Sequence, residues 1–345
     1  QRCRTRAADS ARSMRGRQRP RAALVLGRVR HDNGGMRDSS ELYEVLVDQI
    51  DAEAPVLLHS LTGFLDAGQA GRLAVDHMLA HLEHRTVATF ALDDLFDYRA
   101  RRPRMTFVSD HFAAVDLPSL ELVEVTDAAG TPFLLLHGAE PDHAWQRLTG
   151  AIGDLVDRFG VRLTIGMHAI PWPVPHTRPV EVTAHASDAA LVSGHTPWVG
   201  SLEVPGHLAG LVELHLGDTG HQAMGFAAHV PHYLVSAEYP PASITLLQHA
   251  ASAAGLSLPV DELADAADQA LHEITEQIAS NPENAGAVEA LEAQYDAVTA
   301  SRALDGAPAG SDQGEPPLSA SDLLSGDELA AQVERFLADM DSREE

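Results

Sequence analysis

Short apolar runs alternate with helical stretches through most of this chain, and this alternation limits its fold more than any other feature. Residues 56–61 predict a buried strand, and residues 67–82 predict a helix with apolar side chains at steps of three and four. Strand–helix–strand alternation predicts an α/β fold with a mainly parallel sheet and helices on both faces. Further strands are predicted at residues 86–92, 120–125, 133–136, 163–167, 180–185, 211–216 and 224–229, and further helices at 142–159 and 243–254.

Two apolar helical stripes follow Gly255 and predict an antiparallel helical hairpin at residues 256–303. Asn281 and Pro282 have the order of a cap residue and a first-turn proline at the start of the second helix. The remaining boundaries divide the chain into an α/β/α domain at 40–255, a flexible linker at 304–321 and a C-terminal helix at 322–342.

The charged residues exclude several kinds of chemistry. All 24 basic residues are Arg, because the sequence contains no Lys. This excludes a P-loop lysine, a Schiff-base lysine and a lysine general base. The single Cys, Cys3, argues against a disulfide framework, a thiolate zinc site and a catalytic thiol.

Charge is also distributed unevenly along the chain. Residues 1–35 carry ten Arg and two Asp, whereas residues 36–345 carry 14 Arg and 48 acidic residues. The acidic excess argues against binding to nucleic acid or to an anionic membrane, and no apolar run reaches the ~18 residues of a transmembrane helix. We expect residues 1–35 to be a disordered arm, or upstream sequence that was translated in front of a native start at Met36. A basic RNA-binding arm is the less favoured alternative.

Three loops hold candidate site residues. Residues 63–68 lie between a predicted strand and helix, at the sheet edge where α/β proteins bind ligands, although spacing favours a purely capping role for Asp66. Residues 97–104 carry four Arg, which suit a carboxylate, a phosphate or an acidic partner, or equally form internal ion pairs. Residues 167–179 form a proline-stiffened loop that either binds an anion, performs acid–base chemistry or makes a rigid contact.

Neither a metal site nor a built-in nucleophile is predicted, and no cofactor is expected. His77, His81 and His84 share one face of the predicted helix, but we expect that face to be exposed to solvent. The sequence contains no HExxH zinc motif and no GxSxG nucleophile elbow. The chain is therefore expected not to be an enzyme, although this question stays open.

Five short motifs run in order through most of the chain: GFLDAG at 63–68, FDYRARRP at 96–103, HGAEPDHAW at 137–145, PHTRP at 175–179 and AAHVPHYL at 227–234. Together they resemble the proteasome assembly chaperone 2 family, in its actinobacterial branch. The resemblance implies a three-layer α/β/α domain similar to phosphorylase/hydrolase-like folds, and homo-oligomers, with trimers expected. It carries over a set of residues as contact or pocket positions: Asp66, Asp97, Tyr98, Arg101, Arg102, Glu140, His176, Thr177, Arg178, His229 and His232.

Two functions are weighed. The favoured one is a non-catalytic cytoplasmic scaffold or assembly chaperone that acts through protein–protein contacts, because eukaryotic relatives guide assembly of the proteasome α ring. Its partner would then be a protein, and the resemblance implies one related to the proteasome. The alternative is a small-molecule-binding protein or a hydrolase/phosphorylase-like enzyme, with an anion pocket where loops 63–68, 97–104 and 175–179 converge. The alternative requires Asp66, Arg102 and His176 to line one pocket.

Overall fold

A computed structural model describes residues 38–195, 201 and 203–304. Within them the strands are β1 (Tyr43–Val45), β2 (Val56–Thr62), β3 (His84–Phe90), β4 (Arg104–Val108), β5 (His111–Asp116), β6 (Leu120–Thr126), β7 (Pro132–Ala139), β8 (Leu163–Trp172), β9 (Val182–Ala186) and β10 (Ala223–Pro231). The α-helices are α1 (Ala70–His81), α2 (Leu92–Leu95), α3 (Trp145–Phe159), α4 (Leu208–Asp218), α5 (Pro240–Ala254), α6 (Asp261–Ala279) and α7 (Pro282–Leu304).

Eight of the strands form one central sheet in the order β1-β3-β6-β7-β2-β8-β10-β9. The four central strands β7, β2, β8 and β10 run parallel to one another. The strands outside them pair antiparallel with their neighbours. The mainly parallel sheet is therefore confirmed at the centre, where the carboxyl ends of four strands meet at one edge.

Helices cover both faces of the sheet. On one face α1 and α5 pack against side chains such as Leu58, Ile165 and Phe226. On the other face α3 and α4 pack against side chains such as Leu57 and Leu134. The two apolar clusters confirm the predicted three-layer α/β/α architecture.

The predicted C-terminal helical hairpin is formed by α6 and α7. Asn281 caps α7 as expected, because its Oδ1 accepts a hydrogen bond from the Glu283 backbone N–H at 3.0 Å. Leu263 of α6 is buried in the same apolar cluster as α1 and α5, and Ala267 of α6 is also buried. The apolar stripe of the first helix therefore attaches the hairpin to the α/β core.

The strand predicted at residues 211–216 is wrong, because this segment lies in α4. Val212, Leu214 and Leu216 alternate with polar residues, which is the pattern of a strand. The His207 side chain instead caps a helix by accepting a hydrogen bond from the Gly210 N–H at 3.1 Å. Val212 and Leu216 are buried one turn apart, whereas Leu214 is 55% exposed.

The strands β4 and β5 form a separate two-stranded hairpin that the sequence analysis did not predict. Every residue of both strands is exposed. The hairpin follows the Arg-rich segment 97–104 directly, and the last residue of that segment, Arg104, begins β4. The sequence predicts only a loop here.

Some predictions lie outside the described residues: the N-terminal arm at 1–35, the C-terminal helix at 322–342 and the linker beyond Leu304. None of the helices in the described residues is both long enough and apolar enough to cross a membrane.

The α4 helix can be tested with a matched pair of substitutions. A helix buries Leu216 and exposes Leu214, whereas a strand would place both on the same face. We expect Leu216→Ala to lower the free energy of unfolding by about 3 kcal/mol and Leu214→Ala to change it by less than about 0.5 kcal/mol. Urea unfolding of both variants measures the difference, and equal losses would contradict the helix.

Candidate functional site

The loops after β2, β7, β8 and β10 share the carboxyl edge of the sheet, and Glu140 joins several elements there. Its Oε1 accepts a hydrogen bond from the Leu208 N–H of α4 at 2.7 Å, and its Oε2 accepts one from the Phe64 N–H at 3.4 Å. A Cβ atom on Gly63 would lie 2.7 Å from the Glu140 Cβ, so glycine allows this close approach. Glu140 therefore holds loop 63–68 and the start of α4 together.

Arg101 makes contacts within the chain at the same edge. Its Nη2 donates to Asp142 Oδ1 at 2.6 Å and to the Glu140 carbonyl at 2.5 Å. The Asp97 N–H donates to the other Asp142 oxygen at 2.8 Å. This arrangement fixes loop 97–101 against the end of β7. It also pairs the Arg101 guanidinium with the carboxylate of Asp142.

The neighbouring motif residues differ in their surroundings. The Asp97 side chain accepts a hydrogen bond from the Arg99 N–H at 2.9 Å and so stabilises the turn that follows it. Burial, followed by a hydrogen bond to Asp93, raises the pKa of Tyr98. Arg102 is exposed on the surface.

The Asp66 side chain hydrogen-bonds to the first turn of α1, although Gln69 rather than Asp66 occupies the N-cap position. Its two carboxylate oxygens accept hydrogen bonds from the N–H groups of Gly71 at 2.7 Å and Arg72 at 3.2 Å. Burial raises the pKa of Asp66, and the two backbone hydrogen bonds only partly oppose that rise. The geometry assigns this side chain a structural role.

Residues 177 and 178 face the helical hairpin. The Arg178 Nε and Nη2 atoms donate to both carboxylate oxygens of Asp296 in α7, at 2.8 and 2.7 Å. Thr177 Oγ1 hydrogen-bonds to Glu292 on the same helix. Bidentate pairing of this kind is directional, so loop 175–179 holds α7 in place.

His176 links the same loop to two further elements. Its backbone N–H donates to the Tyr233 hydroxyl at 2.9 Å, and its Nδ1 lies 2.8 Å from that hydroxyl. Its Nε2 lies 3.3 Å from Thr275 Oγ1 in α6. A neutral ring satisfies both side-chain contacts, and burial lowers the pKa of His176.

His229 and His232 lie at the end of β10. The His229 ring stacks on Trp172, with centroids 4.5 Å apart, and its Nε2 lies 2.8 Å from Thr183 Oγ1. Burial lowers the pKa of His232, and no hydrogen-bond partner for its Nδ1 lies in the described part of the chain.

The structure thus arranges the motif residues in two groups along one edge. Asp97, Arg101 and Glu140 lie with loop 63–64 near β7 and β2. The loop 176–178 lies near β8 and β10 and contacts the helical hairpin. In both groups the central Arg is paired with a carboxylate of this chain.

A cluster of four histidines, His59, His168, His185 and His207, was missed by the sequence analysis. The His168 ring lies 5.2 Å from the ring of His185 and 5.7 Å from that of His207. His185 Nδ1 lies 2.7 Å from Glu213 of α4. A recognisable signal was present, since three of the four rings interrupt apolar strands.

Two glycines make room for this histidine cluster. A Cβ on Gly166 would lie 2.9 Å from the His59 ring, and a Cβ on Gly225 would lie 2.4 Å from the His185 ring. Burial, followed by the neighbouring His185 and His207, lowers the pKa of His59 to about 4. The same causes keep the pKa of His168 well below its usual value, so the His59 and His168 rings are neutral at pH 7.

A cavity of about 550 Å³ opens beside loop 176–180, between α5 and α6. Its walls include Arg178, Tyr239, Ile244 and Leu271. Cavities of this size accommodate small ligands.

The expected exposure of the helical histidine face is wrong for His77, which is only 7% exposed. The segment that leads into α6 covers it, and its Nε2 lies 3.1 Å from the Pro259 carbonyl. The helix ends at His81, so His84 lies in β3 instead. Within the described residues, His77, His81 and Glu262 form the group whose side chains lie close enough together to hold a metal ion.

Comparison with known proteins identifies the family. A sequence model of the PAC2 family matches residues 60–278. This chain belongs to the PAC2 family. The finding confirms the resemblance to the proteasome assembly chaperone 2 family that the motifs predict.

Three solved structures are similar to this chain. A Mycobacterium tuberculosis protein of unknown function is 44% identical, with a TM-score of 0.74, and the match covers 77% of this chain and 92% of that one. A Corynebacterium glutamicum protein of unknown function is 36% identical, with a TM-score of 0.71 and coverage of 74% and 97%. A proteasome-assembly chaperone homologue from M. tuberculosis is 27% identical, with a TM-score of 0.63 and coverage of 68% and 99%. No curated protein matches.

The histidine cluster predicts how the stability of this PAC2 family protein depends on pH. His59 has a pKa of about 4 when folded and 6.5 when unfolded, so between these values the unfolded chain binds the extra proton. The stabilisation is complete above pH 6.5 and is lost as the pH falls toward 4, with His59 contributing about 3 kcal/mol.

Urea unfolding across this range measures the effect. We expect His59→Asn to flatten the pH dependence, whereas His272→Ala, which removes an exposed imidazole from α6, leaves it unchanged. A stability that is constant across the range, or that rises on acidification, would contradict burial of neutral imidazoles.

Proposed function

We propose that this PAC2 family protein is a non-catalytic cytoplasmic scaffold or assembly chaperone that binds a proteasome-related protein. The family membership supports this proposal, together with the likeness to a proteasome-assembly chaperone homologue from M. tuberculosis. We further propose that the protein forms homo-oligomers, with trimers the expected state, as the family resemblance implies.

The observation that carries the proposal is the apolar face of the β4–β5 hairpin. Met105 pairs with Val115 across the two strands, and Phe107 pairs with Phe112, with ring centroids 5.1 Å apart. Phe107 is 57% exposed and Phe112 is 66% exposed. Contiguous exposed apolar side chains of this size are typical of a protein-binding surface.

A bulge creates this apolar face. The strand register shifts between Thr106 and Phe107, so Ala113 has no partner on β4. Without the shift, Phe112 and Val115 would point to opposite sides of the ribbon. An isolated two-stranded hairpin is marginally stable in water, so the hairpin gains stability from a partner that covers it.

Charge indicates the kind of partner. Arg99 and Arg102 are exposed in the segment just before the hairpin, and Arg104 is exposed at the start of β4 opposite Asp116, in a protein with a formal net charge of −26. An apolar surface bordered by Arg fits a folded protein whose own apolar patch is rimmed by carboxylates. We therefore assign the hairpin to the proteasome-related partner.

The alternative function, a small-molecule-binding protein or a hydrolase/phosphorylase-like enzyme, is favoured by the cavity beside loop 176–180. However, Arg178 in the wall of that cavity already donates to Asp296, and Arg101 donates to Asp142. An anion would have to displace a carboxylate from either Arg, so the scaffold function remains the better supported one.

Binding to purified proteasome α subunits from a related actinobacterium tests the proposal. We expect the double substitution of Phe107→Ser with Phe112→Ser to weaken binding by about tenfold or more, because exposed aromatic anchors dominate such contacts. Both side chains are more than half exposed, so the fold should persist. Leu214→Ser removes a similarly exposed apolar side chain from α4 and serves as the control.

Interferometry gives the affinities, and light scattering after size-exclusion chromatography gives the stoichiometry. No binding by the unsubstituted protein, or equal binding by the double variant, would contradict the proposal. Dissociation of a homo-oligomer by the double substitution would show that the hairpin binds a second copy of the chain instead.

A further inference from the structure

Two imidazoles and a carboxylate meet where α1 contacts the start of α6. His77 and His81 lie one helical turn apart on α1, and their ring centroids are 4.3 Å apart. Glu262 lies in the first turn of α6, with its Oε1 3.8 Å from His81 Nε2. One ligand atom from each residue lies within 4.8 Å of the others.

Backbone carbonyls orient both imidazoles. His81 Nδ1 lies 2.9 Å from the His77 carbonyl, and His77 Nε2 lies 3.1 Å from the Pro259 carbonyl. In each ring the nitrogen facing the carbonyl carries the proton, which leaves the other nitrogen with a free lone pair. Histidines that bind metals commonly have one ring N–H held in this way by a carbonyl or carboxylate.

We propose that His77, His81 and Glu262 bind a divalent transition-metal ion, with zinc the best match. Two imidazole nitrogens and one carboxylate oxygen are ligands that zinc accepts, with a fourth position left for water. Tetrahedral bonds of about 2.1 Å separate two ligand atoms by about 3.4 Å. The His81–Glu262 pair at 3.8 Å therefore needs only a small side-chain movement.

The surroundings favour a cation. A cavity of about 520 Å³ adjoins the site, and its walls include Glu83, Asp261 and Glu262. These carboxylates give the cavity a negative potential that attracts a divalent ion, and water in the cavity can fill the fourth position. The ion would connect α1 of the α/β core to α6 of the helical hairpin.

Zinc titration of the untagged full chain, after treatment with a chelator, tests this site. We expect calorimetry to report about one high-affinity ion per chain, and bound zinc to raise the melting temperature because it connects two elements of the folded state. We expect His81→Ala, which removes a partly exposed side chain, and Glu262→Gln each to weaken binding by at least about tenfold.

Two matched variants control for the chain's many other histidines and carboxylates. His272→Ala and Glu276→Gln alter an exposed pair on α6 and should leave zinc binding unchanged. The melting temperature without metal confirms that each variant is folded. As a second readout, cobalt should give a visible d–d absorption band in the unsubstituted protein that His81→Ala removes. Absence of high-affinity zinc binding, or equal binding by His81→Ala, would overturn the proposal.

Discussion

Pairing between a few arginines and many carboxylates holds the loops of this protein in place. Residues 36–345 contain 14 Arg and 48 acidic residues, so an Arg that turns toward the chain readily meets a carboxylate. Glu124, only 4% exposed, pairs with Arg85 at 2.6 Å, while Asp142 holds Arg101 and Asp296 holds Arg178. The ion pairs at the carboxyl edge therefore form within the chain, where they hold loop 97–101 and the helical hairpin against the sheet.

This arrangement separates the stable core of the molecule from the surface that we propose binds a partner. Within the central strands the imidazoles of His59 and His168 are buried and neutral, and at the carboxyl edge Glu140 accepts hydrogen bonds from backbone N–H groups. The β4–β5 hairpin is different, since its apolar side chains face solvent. A three-layer core with an exposed apolar ribbon is consistent with the proposed role in binding a protein partner.

Local patterns in the sequence were sufficient for most of the fold and for parts of the site. The buried run at 56–61 became β2, and Asn281 caps α7 as its position predicts. The segment 211–216 misled because Val212, Leu214 and Leu216 alternate with polar residues as in a strand, whereas in the fold Val212 and Leu216 are buried one helical turn apart. The histidines within the strands indicated buried imidazoles, but they did not indicate a cluster. His59, His168 and His185 are far apart in the chain, and only the strand order brings β2, β8 and β9 close together.

Hydrogen–deuterium exchange of the full chain, with and without proteasome α subunits, tests most directly whether the molecule works by presenting its hairpin. We expect slower amide exchange at residues 104–116 on addition of the subunits, with loops 63–68 and 140–142 unchanged. Protection of those carboxyl-edge loops while the hairpin continues to exchange freely would contradict it.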